Sequence, residues 1–588
     1  SLSPLSPVPG KKKKRMANAK TLALVVAMVF SMVVTVTVAS RVRSSDPWVA
    51  RVSPFNAATA LPKFNGTLHY NAQFWFLLNQ YFDGLPHSYF VPDTFWRSEK
   101  YLPTHLHSNP IDGQEAIEDR VCTHFGLNLY DAATWEIALG LQGEFEIPNA
   151  YENSILYSSS TGTDNTVGGL ADIRSDTSQY LYGRSQIPGS SLQRVTMPGN
   201  QTNPIDGSKT IAGAFFFRMI SAYYVTEDPL IGSYARSFRS PYPFTGGPAW
   251  NTFGVIIWND WKPITGENVW GAIIGPIQSL YLQNNGSVPS WANFAQAPSQ
   301  VQLSLSVLPA LMALQSVEGS LYHCPSGSQL WPPDENEGQN VSNENNFSGY
   351  AAVTMLYQLL NNNTNTSNSD LAPAMQDLLT LQQGLQSWFI KYSLAPPLNN
   401  ALGARVFYQG GHVNFTGGYY PVSIYSDGGF AVDCQTWGSA VLGANFIDNS
   451  IAKKLGTAFN MWQQTKNFSA YYAADGSLAG VGYTIHPLHD IWSGEWTWGA
   501  VLATRELSMQ YSNMTNCPNC ASWAQSLMAD STSMANNLRK TVAQGGLLSE
   551  SGGFLYCNHR YFIPWGWWAN PLPALCSTAW SVMDDHTF

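Results

Sequence analysis

Charged side chains are scarce in this chain: they make up 12% of its 588 residues, and the formal net charge is -9 at pH 7. A protein of that charge without a basic face repels phosphate, which argues against nucleic-acid binding. Four patterns are also missing: the HExxH zinc motif, the G-x-S-x-G elbow, the Walker A loop and the dinucleotide-binding glycine fingerprint. Zinc-protease, hydrolase-triad, nucleotide-hydrolysing and dehydrogenase functions therefore lack support.

Cysteine is also sparse, and its pattern predicts no metal site. The pair Cys517–Cys520 has no second CxxC to complete a zinc site, so we expect a short-loop disulfide. The odd total of seven leaves at least one thiol unpaired within the chain, and Cys434 is expected to be a buried thiol. Residues 334–340 resemble a calcium loop without its glycine spacing or closing glutamate. We therefore expect no cofactor, with calcium left open.

The N-terminal part of the chain is typical of a targeting segment. Residues 1–15 end in a basic stretch, and residues 16–40 combine a short basic start with a long uncharged apolar run. A cleaved signal peptide and a type II signal anchor, which would be a single membrane span, both fit this pattern. Either one places the rest of the protein outside the cytosol, secreted or tethered to a membrane.

Acceptor motifs for N-glycosylation agree with that location. In a chain entering the secretory route, we expect glycans on some of the N-x-[ST] sites. These sites are Asn65, Asn200, Asn285, Asn340, Asn346, Asn362, Asn365, Asn414, Asn467 and Asn513.

Aromatic residues are abundant, with 21 Trp, and many stand in a repeated signature of a small or acidic residue, a bulky anchor and a small apolar run. Each signature predicts the start of a buried helix, with Ser, Thr or Asp as N-cap. The signatures lie at 129–140, 265–275, 342–353, 432–443, 493–503 and 576–583.

Amphipathic stretches at 301–315, 371–392 and 450–466 separate the later signatures and predict outer helices. Six alternations of inner and outer helices describe a mainly α-helical (α/α)6 toroid over residues 129–588. Residues 150–245 are rich in Ser, Thr, Gly and Asn, and predict a loop insertion with a few short strands. Residues 41–128 are expected to be an extension that packs on the toroid.

Five motifs carry a resemblance to a known superfamily: "TGENVWGAIIG", "VSNENNFSGYAA", "VDCQTWG", "SGEWTWGA" and "PWGWWANPLPALCSTAW". They resemble inner-helix motifs of the six-hairpin glycosidase-like toroids over roughly residues 250–588. The resemblance implies a central cleft at the tips of the inner helices, lined by acidic residues for catalysis and aromatic rings for sugar stacking. It implies glycoside cleavage without defining the sugar.

Glu267, Glu344 and Glu495 each follow a hydroxyl residue by two positions, which places them in a first helical turn. Such a glutamate gains about 0.3–1 kcal/mol from the helix dipole in any protein, so a structural role is the simplest alternative. The signature helices carry little other charge, however, and in a toroid their starts converge. We predict Glu495 as the general acid, because the adjacent Trp492 and Trp496 would desolvate it and raise its pKa.

Asp433 is the predicted base, because it begins another inner helix after a glycine-rich approach, although it would also serve as an N-cap. Glu344 and Asp427 are the alternatives. Asp490 is expected to orient the acid or to bind sugar. A carboxyl separation of about 6.5–9.5 Å would indicate inversion, and one of about 5–5.5 Å retention.

Sugar binding is predicted for aromatic rings near these acids, because a flat indole stacks on the apolar face of a pyranose. The acids Glu267, Asp427 and Asp490 are expected to contribute hydrogen bonds. The predicted stacking residues are Trp270, Trp437, Trp492, Trp496, Trp565, Trp567 and Trp568.

The sequence thus predicts a secreted or membrane-tethered glycoside hydrolase acting on a polysaccharide or oligosaccharide, such as a glucan or other cell-wall polymer. Two alternatives stay open. A polysaccharide lyase on the same toroid would use Tyr483, His486 and Arg505. A non-catalytic carbohydrate-binding or extracellular-matrix glycoprotein would keep the cleft without the chemistry.

Overall fold

A computed structural model describes residues 72–79, 81–82, 85–90, 126–157, 195–196, 210–211, 219–222, 264–287, 290–291, 296–324, 337–362, 371–399, 402–515, 517–565 and 567–586. The basic stretch 1–15, the apolar segment 16–40 and most of the extension 41–128 lie outside these residues. Among the residues described, no helix combines the length and hydropathy needed to cross a bilayer.

The described chain is mainly α-helical with short strands of two to four residues, which confirms that part of the predicted fold class. The helices are α1 (Ala72–Asn79), α2 (Leu129–Leu141), α3 (Glu146–Tyr157), α4 (Thr265–Val269, a π segment Trp270–Ile274, and Gly275–Gln283), α5 (Ser299–Leu314), α6 (Asn343–Asn362), α7 (Ala372–Trp388), α8 (Val432–Asn445), α9 (Thr457–Ser469), α10 (Gly494–Asn513), α11 (Cys520–Leu538) and α12 (Leu575–Asp585).

The strands are short and form two- and three-stranded sheets. Every pairing between the described strands is antiparallel, and the three-stranded sheet joins Asn340–Ser342, Gly410–Val413 and Tyr419–Pro421 in that order. The strands are β1 (Tyr81–Phe82), β2 (Leu85–Pro86), β3 (Gly126–Asn128), β4 (Val195–Thr196), β5 (Thr210–Ile211), β6 (Met219–Ala222), β7 (Asn340–Ser342), β8 (Gly410–Val413), β9 (Tyr419–Pro421), β10 (Ala470–Tyr472), β11 (Leu478–Val481), β12 (Tyr561–Ile563) and β13 (Trp567–Ala569).

Six helices that are buried on nearly every face contact one another in chain order: α2, α4, α6, α8, α10 and α12. The last of them, α12, also contacts the first, α2. These six are the helices that the sequence signatures predict. Charged residues are few along these helices, which explains why they can be surrounded by apolar neighbours.

The remaining helices pack outside this set. Helix α11 lies against α10, α7 against α6, α9 against α8, and α5 bridges α4 and α7. The predicted outer segment 450–466 begins too early, since α9 starts at Thr457 after a π segment Phe446–Ile451 and a left-handed Gly456 with φ 82°. Helix α3 extends to Tyr157, past residue 150, where the sequence predicts the loop insertion to begin.

The starts of the inner helices are connected by backbone hydrogen bonds in a repeating pattern. The first N–H of each of five inner helices donates to a carbonyl in the segment leading to the next inner helix. These bonds are Thr265 to His323 (2.8 Å), Asn343 to Gln409 (2.8 Å), Val432 to Tyr483 (2.9 Å), Gly494 to Tyr556 (2.8 Å) and Leu575 to Ser88 (2.8 Å). They satisfy donors that a helix itself leaves unpaired.

Side-chain capping differs in part from the expected pattern. Ser493 accepts from the Trp496 N–H at 3.1 Å, and Ser342 accepts from the Asn345 N–H at 3.3 Å, as N-caps do. Thr265 is already helical, however, and its hydroxyl donates to the Tyr322 carbonyl at 2.6 Å, so the expected capping role for Thr265 is wrong.

The π segment of α4 has a local cause. Pro276 has no N–H and therefore cannot complete the helical bond to the Ala272 carbonyl. The hydroxyl of Ser304 on α5 donates to that carbonyl at 2.8 Å instead. The irregular turn is thus satisfied by the neighbouring outer helix.

Near the C-terminal end of α12, a buried carboxylate holds two arginines. Asp584 contacts Arg505 of α10 at 2.5 Å and also contacts Arg539, at the end of α11. The Arg539 guanidinium in turn lies 4.8 Å from the ring centroid of Trp498 on α10. This cluster ties three helices together.

We expect Asp584→Asn to lower the free energy of unfolding by about 3 kcal/mol, because two guanidinium groups would lose their shared anion. The Asp584 side chain is 3% exposed and that of the adjacent Asp585, which also contacts Arg539, is 33% exposed. Asp585→Asn is therefore the matched control, with an expected loss of about 0–1 kcal/mol. Urea unfolding of the three proteins measures both values, and equal losses would contradict this account.

Candidate active site

Five of the six inner helices carry an acidic residue in the first turn. They are Asp131 on α2, Glu267 on α4, Glu344 on α6, Asp433 on α8 and Glu495 on α10. The sixth, α12, has Cys576 near its start and no acidic residue in its first turn. Since consecutive inner helices are in contact, these side chains follow one another around the helix starts.

Glu495 is buried, and its carboxyl interacts with groups on three other inner helices. Tyr130 of α2 and Cys576 of α12 hydrogen bond to it, and Asp131 and Asp433 act on it through their charges. Burial is the largest cause that raises the pKa of Glu495, to about 8, and the two neighbouring carboxylates raise it further. A carboxyl group with this pKa holds its proton at neutral pH.

Asp433 is also buried, and its Oδ1 accepts from the Cys434 N–H at 2.6 Å. Burial raises the pKa of Asp433 to about 7, and the hydrogen bonds from Cys434 oppose this rise. The charges of Asp433 and Glu344 both act on the Cys434 thiol, which places Glu344 near the same point. A methyl group on Gly266 of α4 would lie 3.5 Å from Glu344 Oε1, so Glu344 reaches the start of α4.

Four aromatic rings from four inner helices pack together beside these acids, and we call this cluster the aromatic floor. Tyr130 lies 5.1 Å from Trp270 and 5.6 Å from Trp437, and Trp270 lies 6.1 Å from Trp580, measured between ring centroids. The Trp580 Nε1–H donates to the Tyr130 hydroxyl at 2.6 Å. The floor places two predicted sugar-binding residues, Trp270 and Trp437, beside the carboxyl groups.

The acids and the floor rings are largely buried. Asp433 is 9% exposed, Trp437 7% and Glu495 5%.

The loops that precede α8, α10 and α12 contact one another beside the helix starts, and we call them the rim. Trp496 packs against Tyr483 at 4.8 Å and against Trp565 at 5.8 Å, and the Trp565 Nε1–H donates to the Gly428 carbonyl at 3.0 Å. Trp565, Trp567 and Trp568 are all partly exposed, as sugar-stacking residues must be. Asp427 lies exposed in the same rim, where its charge acts on Tyr561.

Two predicted site residues have other surroundings. Trp492 does not lie beside Glu495. It is buried in the core and stacks on Tyr471 of β10, with 5.1 Å between ring centroids. Trp492 precedes the helix, so its side chain points away from Glu495. Its predicted sugar contact is therefore wrong. Asp490 is exposed and its Oδ1 lies 3.0 Å from His486 Nδ1, so it pairs with His486 and does not orient Glu495.

Arg505 lies apart from the other two residues proposed for a lyase. It is held by Asp584, about 15 Å from Glu495 along α10. Tyr483 and His486 both pack against the Tyr561 ring, at 6.1 Å and 5.6 Å between ring centroids. The Tyr483 hydroxyl donates to the Tyr556 carbonyl at 3.2 Å. The three side chains therefore do not form one site.

The predicted disulfide Cys517–Cys520 is confirmed, and Cys434 is a buried thiol as expected. Within the described ranges, no cluster of three or more His, Cys, Asp or Glu side chains could hold a metal ion. Residues 334–336 of the segment resembling a calcium loop lie outside those ranges.

Glycosylation at Asn346 is contradicted by its burial. Its amide donates to the Ser342 carbonyl at 2.6 Å and accepts from the Leu321 N–H at 2.6 Å, so a glycan there would break the start of α6. Asn65, Asn200 and Asn365 lie outside the described residues. Glycosylation stays a prediction for the partly buried Asn340 and Asn414 and for the exposed Asn285, Asn362, Asn467 and Asn513.

Tyr130, Asp131, Cys576 and Trp580 are not among the site residues predicted from the sequence. Asp131 stands within the first signature but does not follow a hydroxyl residue by two positions, the spacing that identifies the three glutamates. Its position in the first turn of a signature helix was the available signal.

No family model and no curated protein sequence matches this chain. Among solved structures, it is similar to a metal-independent alpha-mannosidase from Streptococcus pneumoniae in a complex with alpha-1,6-mannobiose. The sequence identity is 11%, the match covers 56% of this chain and 69% of that one, and the TM-score is 0.28. At that TM-score the likeness assigns neither the fold nor a substrate to this protein.

The raised pKa of Glu495 predicts a pH-dependent stability difference between the wild type and Glu495→Gln. The folded protein holds this proton up to about pH 8, whereas the pKa of a free glutamate side chain is about 4.5. The wild type should therefore lose stability relative to Glu495→Gln as the pH rises from about 5 to 8, by a few kcal/mol in total. Urea unfolding at several pH values measures this difference.

The matched control is Glu146→Gln, an exposed first-turn glutamate on the outer helix α3. Its stability difference from the wild type should change little over the same pH range. If the stability difference between the wild type and Glu495→Gln also stays constant with pH, the Glu495 carboxyl is ionised at neutral pH.

Proposed function

We propose that this protein is a glycoside hydrolase with an (α/α)6 toroid whose active site lies at the inner-helix starts. The observation that carries the proposal is the pair of buried carboxyl groups, Glu495 and Asp433, on adjacent inner helices beside the aromatic floor. Glycoside hydrolysis requires two carboxyl groups, one protonated and one ionised. The closed order of contacts among the six inner helices supports the toroid.

Glu495 acts as the general acid, since it is the carboxyl with the higher pKa, about 8 against about 7 for Asp433. It gives its proton to the glycosidic oxygen as the bond from that oxygen to the anomeric carbon breaks. Asp433 takes a proton from the water that attacks the same carbon. Glu344, which lies near Asp433, is the alternative base.

A polysaccharide or oligosaccharide fits the surroundings of these acids. Trp270 and Trp437 form part of the floor, and the partly exposed Trp565, Trp567 and Trp568 extend an aromatic surface along the rim. Asp427 and the half-buried Glu267 supply hydrogen-bond acceptors for sugar hydroxyls. We place the enzyme outside the cytosol, secreted or held by an N-terminal anchor, where cell-wall polymers are found.

We expect Glu495→Gln and Asp433→Asn each to lower kcat by about 10²–10⁴-fold, because each removes a group that transfers a proton. The matched control is Glu506→Gln. Glu506 is another buried glutamate on α10, but its carboxylate accepts from Gln510 at 2.7 Å, away from the helix start. Full activity in Glu495→Gln would contradict the proposed mechanism.

The pH dependence of kcat/KM should be bell-shaped with a narrow maximum between about 7 and 8. Activity falls at lower pH as Asp433 becomes protonated, its pKa being about 7, and at higher pH as Glu495 loses its proton, its pKa being about 8. Because the two carboxyls interact, the apparent pKa values of the two limbs belong to the pair of carboxyls and not to single residues. A maximum near pH 4–5 would contradict the assignment.

Incubation with a panel of neutral and acidic polysaccharides tests the function itself. New reducing ends without absorbance from unsaturated sugars are the expected result, and Glu495→Gln should abolish them. Unsaturated products would favour a lyase. Binding without cleavage by either protein would favour a non-catalytic carbohydrate-binding protein.

A further inference from the structure

The loop that leads to α8 is folded into a compact turn over residues 423–429, which we call the 423–429 turn. The Ser426 N–H and hydroxyl both donate to the Ser423 carbonyl, at 3.0 Å and 2.6 Å, and the Gly429 N–H donates to the Ser426 carbonyl at 3.0 Å. A methyl group on Gly429 would overlap the Ser423 carbonyl oxygen, so the turn closes this tightly because that residue is glycine.

The 423–429 turn is attached to the core and to the rim. The Ile424 side chain is buried, and the Gly429 carbonyl accepts from the Gln409 N–H at 3.4 Å. The Gly428 carbonyl accepts from the Trp565 Nε1–H at 3.0 Å. The turn is therefore fixed beside one of the tryptophans that the sequence predicts to bind sugar.

Tyr425 projects from this turn into solvent. Its side chain is 66% exposed, more than any other aromatic side chain among the described residues. The ring lies 6.2 Å from Phe468 at an interplanar angle of 80°, and Phe468 lies 5.1 Å from the buried Phe430, measured between ring centroids. Phe468 thus holds the Tyr425 ring against the body of the protein while most of its surface remains in contact with water.

The surroundings of Tyr425 fit a sugar better than a protein partner. Its exposed neighbours within the turn are the hydroxyl residues Ser423 and Ser426 and the carboxylate of Asp427. Protein-binding sites present contiguous apolar patches. A sugar instead needs one flat ring for its apolar face and polar groups close by for its hydroxyls, which is the combination present here.

The position of Tyr425 extends the aromatic surface of the rim away from the acids. Trp496, next to Glu495, contacts Trp565 at 5.8 Å, and Trp565 binds the Gly428 carbonyl. Tyr425 precedes Gly428 by three residues, so their Cα atoms are at most about 11 Å apart. A sugar chain that leaves Glu495 along Trp565 would therefore meet the Tyr425 ring.

We propose that Tyr425 forms a sugar-binding subsite remote from the catalytic carboxyls, and that the preferred substrate is a chain long enough to occupy both places. This inference rests on the proposed function and narrows its substrate class to polysaccharides and long oligosaccharides. Binding energy gained at a remote subsite raises kcat/KM for substrates that reach it and does nothing for shorter ones.

The test compares kcat/KM on disaccharides, hexasaccharides and the parent polymers of glucan, mannan, xylan and polygalacturonate. On the cleaved series, kcat/KM of the wild type should rise with chain length. Tyr425→Ala should lower kcat/KM by about tenfold on the polymer and leave it unchanged on the disaccharide, because only the polymer reaches the lost ring. Tyr425→Phe keeps the ring face and should behave as the wild type.

The matched control is Tyr472→Ala, which removes another exposed tyrosine. Tyr472 is 50% exposed on β10, and its strand partner Leu478 has a carbonyl that accepts from the Ser533 hydroxyl of the outer helix α11 at 2.7 Å. This variant should keep the wild-type dependence on chain length. Urea unfolding checks that Tyr425→Ala is as stable as the wild type within about 1 kcal/mol, as expected for an exposed side chain.

An equal loss in Tyr425→Ala at all chain lengths, no loss at any length, or failure of this variant to fold would overturn the inference while leaving the hydrolase proposal in place. If the wild type cleaves none of the polymers, their binding to Glu495→Gln is measured by affinity electrophoresis. Weaker binding after adding Tyr425→Ala would support the subsite while the hydrolase proposal fails. Equal binding with and without Tyr425→Ala, or no binding at all, would contradict both.

Discussion

The arrangement of the site depends on the backbone bonds between the start of each inner helix and the segment that leads to the next. Each of these bonds gives the first N–H of a helix a partner and at the same time fixes where that helix begins. A shift of one residue would turn each first-turn side chain by about 100° around its helix. Acids on separate helices meet because the starts are fixed relative to one another.

Two electrostatic effects of opposite sign act on these first-turn acids. The helix dipole favours an ionised carboxylate by about 0.3–1 kcal/mol. Burial and the neighbouring carboxylates favour the protonated form, and for Glu495 they raise the pKa from 4.5 to about 8. A displacement of that size corresponds to about 4–5 kcal/mol, so burial prevails. A first-turn glutamate that would ordinarily stabilise its helix in the ionised form is therefore protonated at neutral pH.

The sequence predicted the inner helices and most of their first-turn acids, because these depend on spacing along one chain segment. Contacts between helices were harder to predict from the sequence. Trp492 was expected beside Glu495 as its near neighbour in sequence, yet residues on either side of a helix start point in different directions, and Trp492 stacks on Tyr471. The residues that do touch Glu495, among them Tyr130 and Cys576, are distant in sequence. Asn346 stands in an N-glycosylation motif, but its side chain is buried and the predicted glycan does not fit there.

The positive charges of the inner helices are kept away from the acids. Helix α10 carries Glu495 in its first turn and Arg505 about 15 Å farther along, where Asp584 binds Arg505 and Arg539. A guanidinium beside Glu495 would lower the pKa of that carboxyl by favouring its ionised form, and would remove its ability to donate a proton at neutral pH. The place of Arg505 along α10 therefore leaves the start of this helix to carboxyl groups, a thiol and aromatic rings, the surroundings in which an acid keeps its proton.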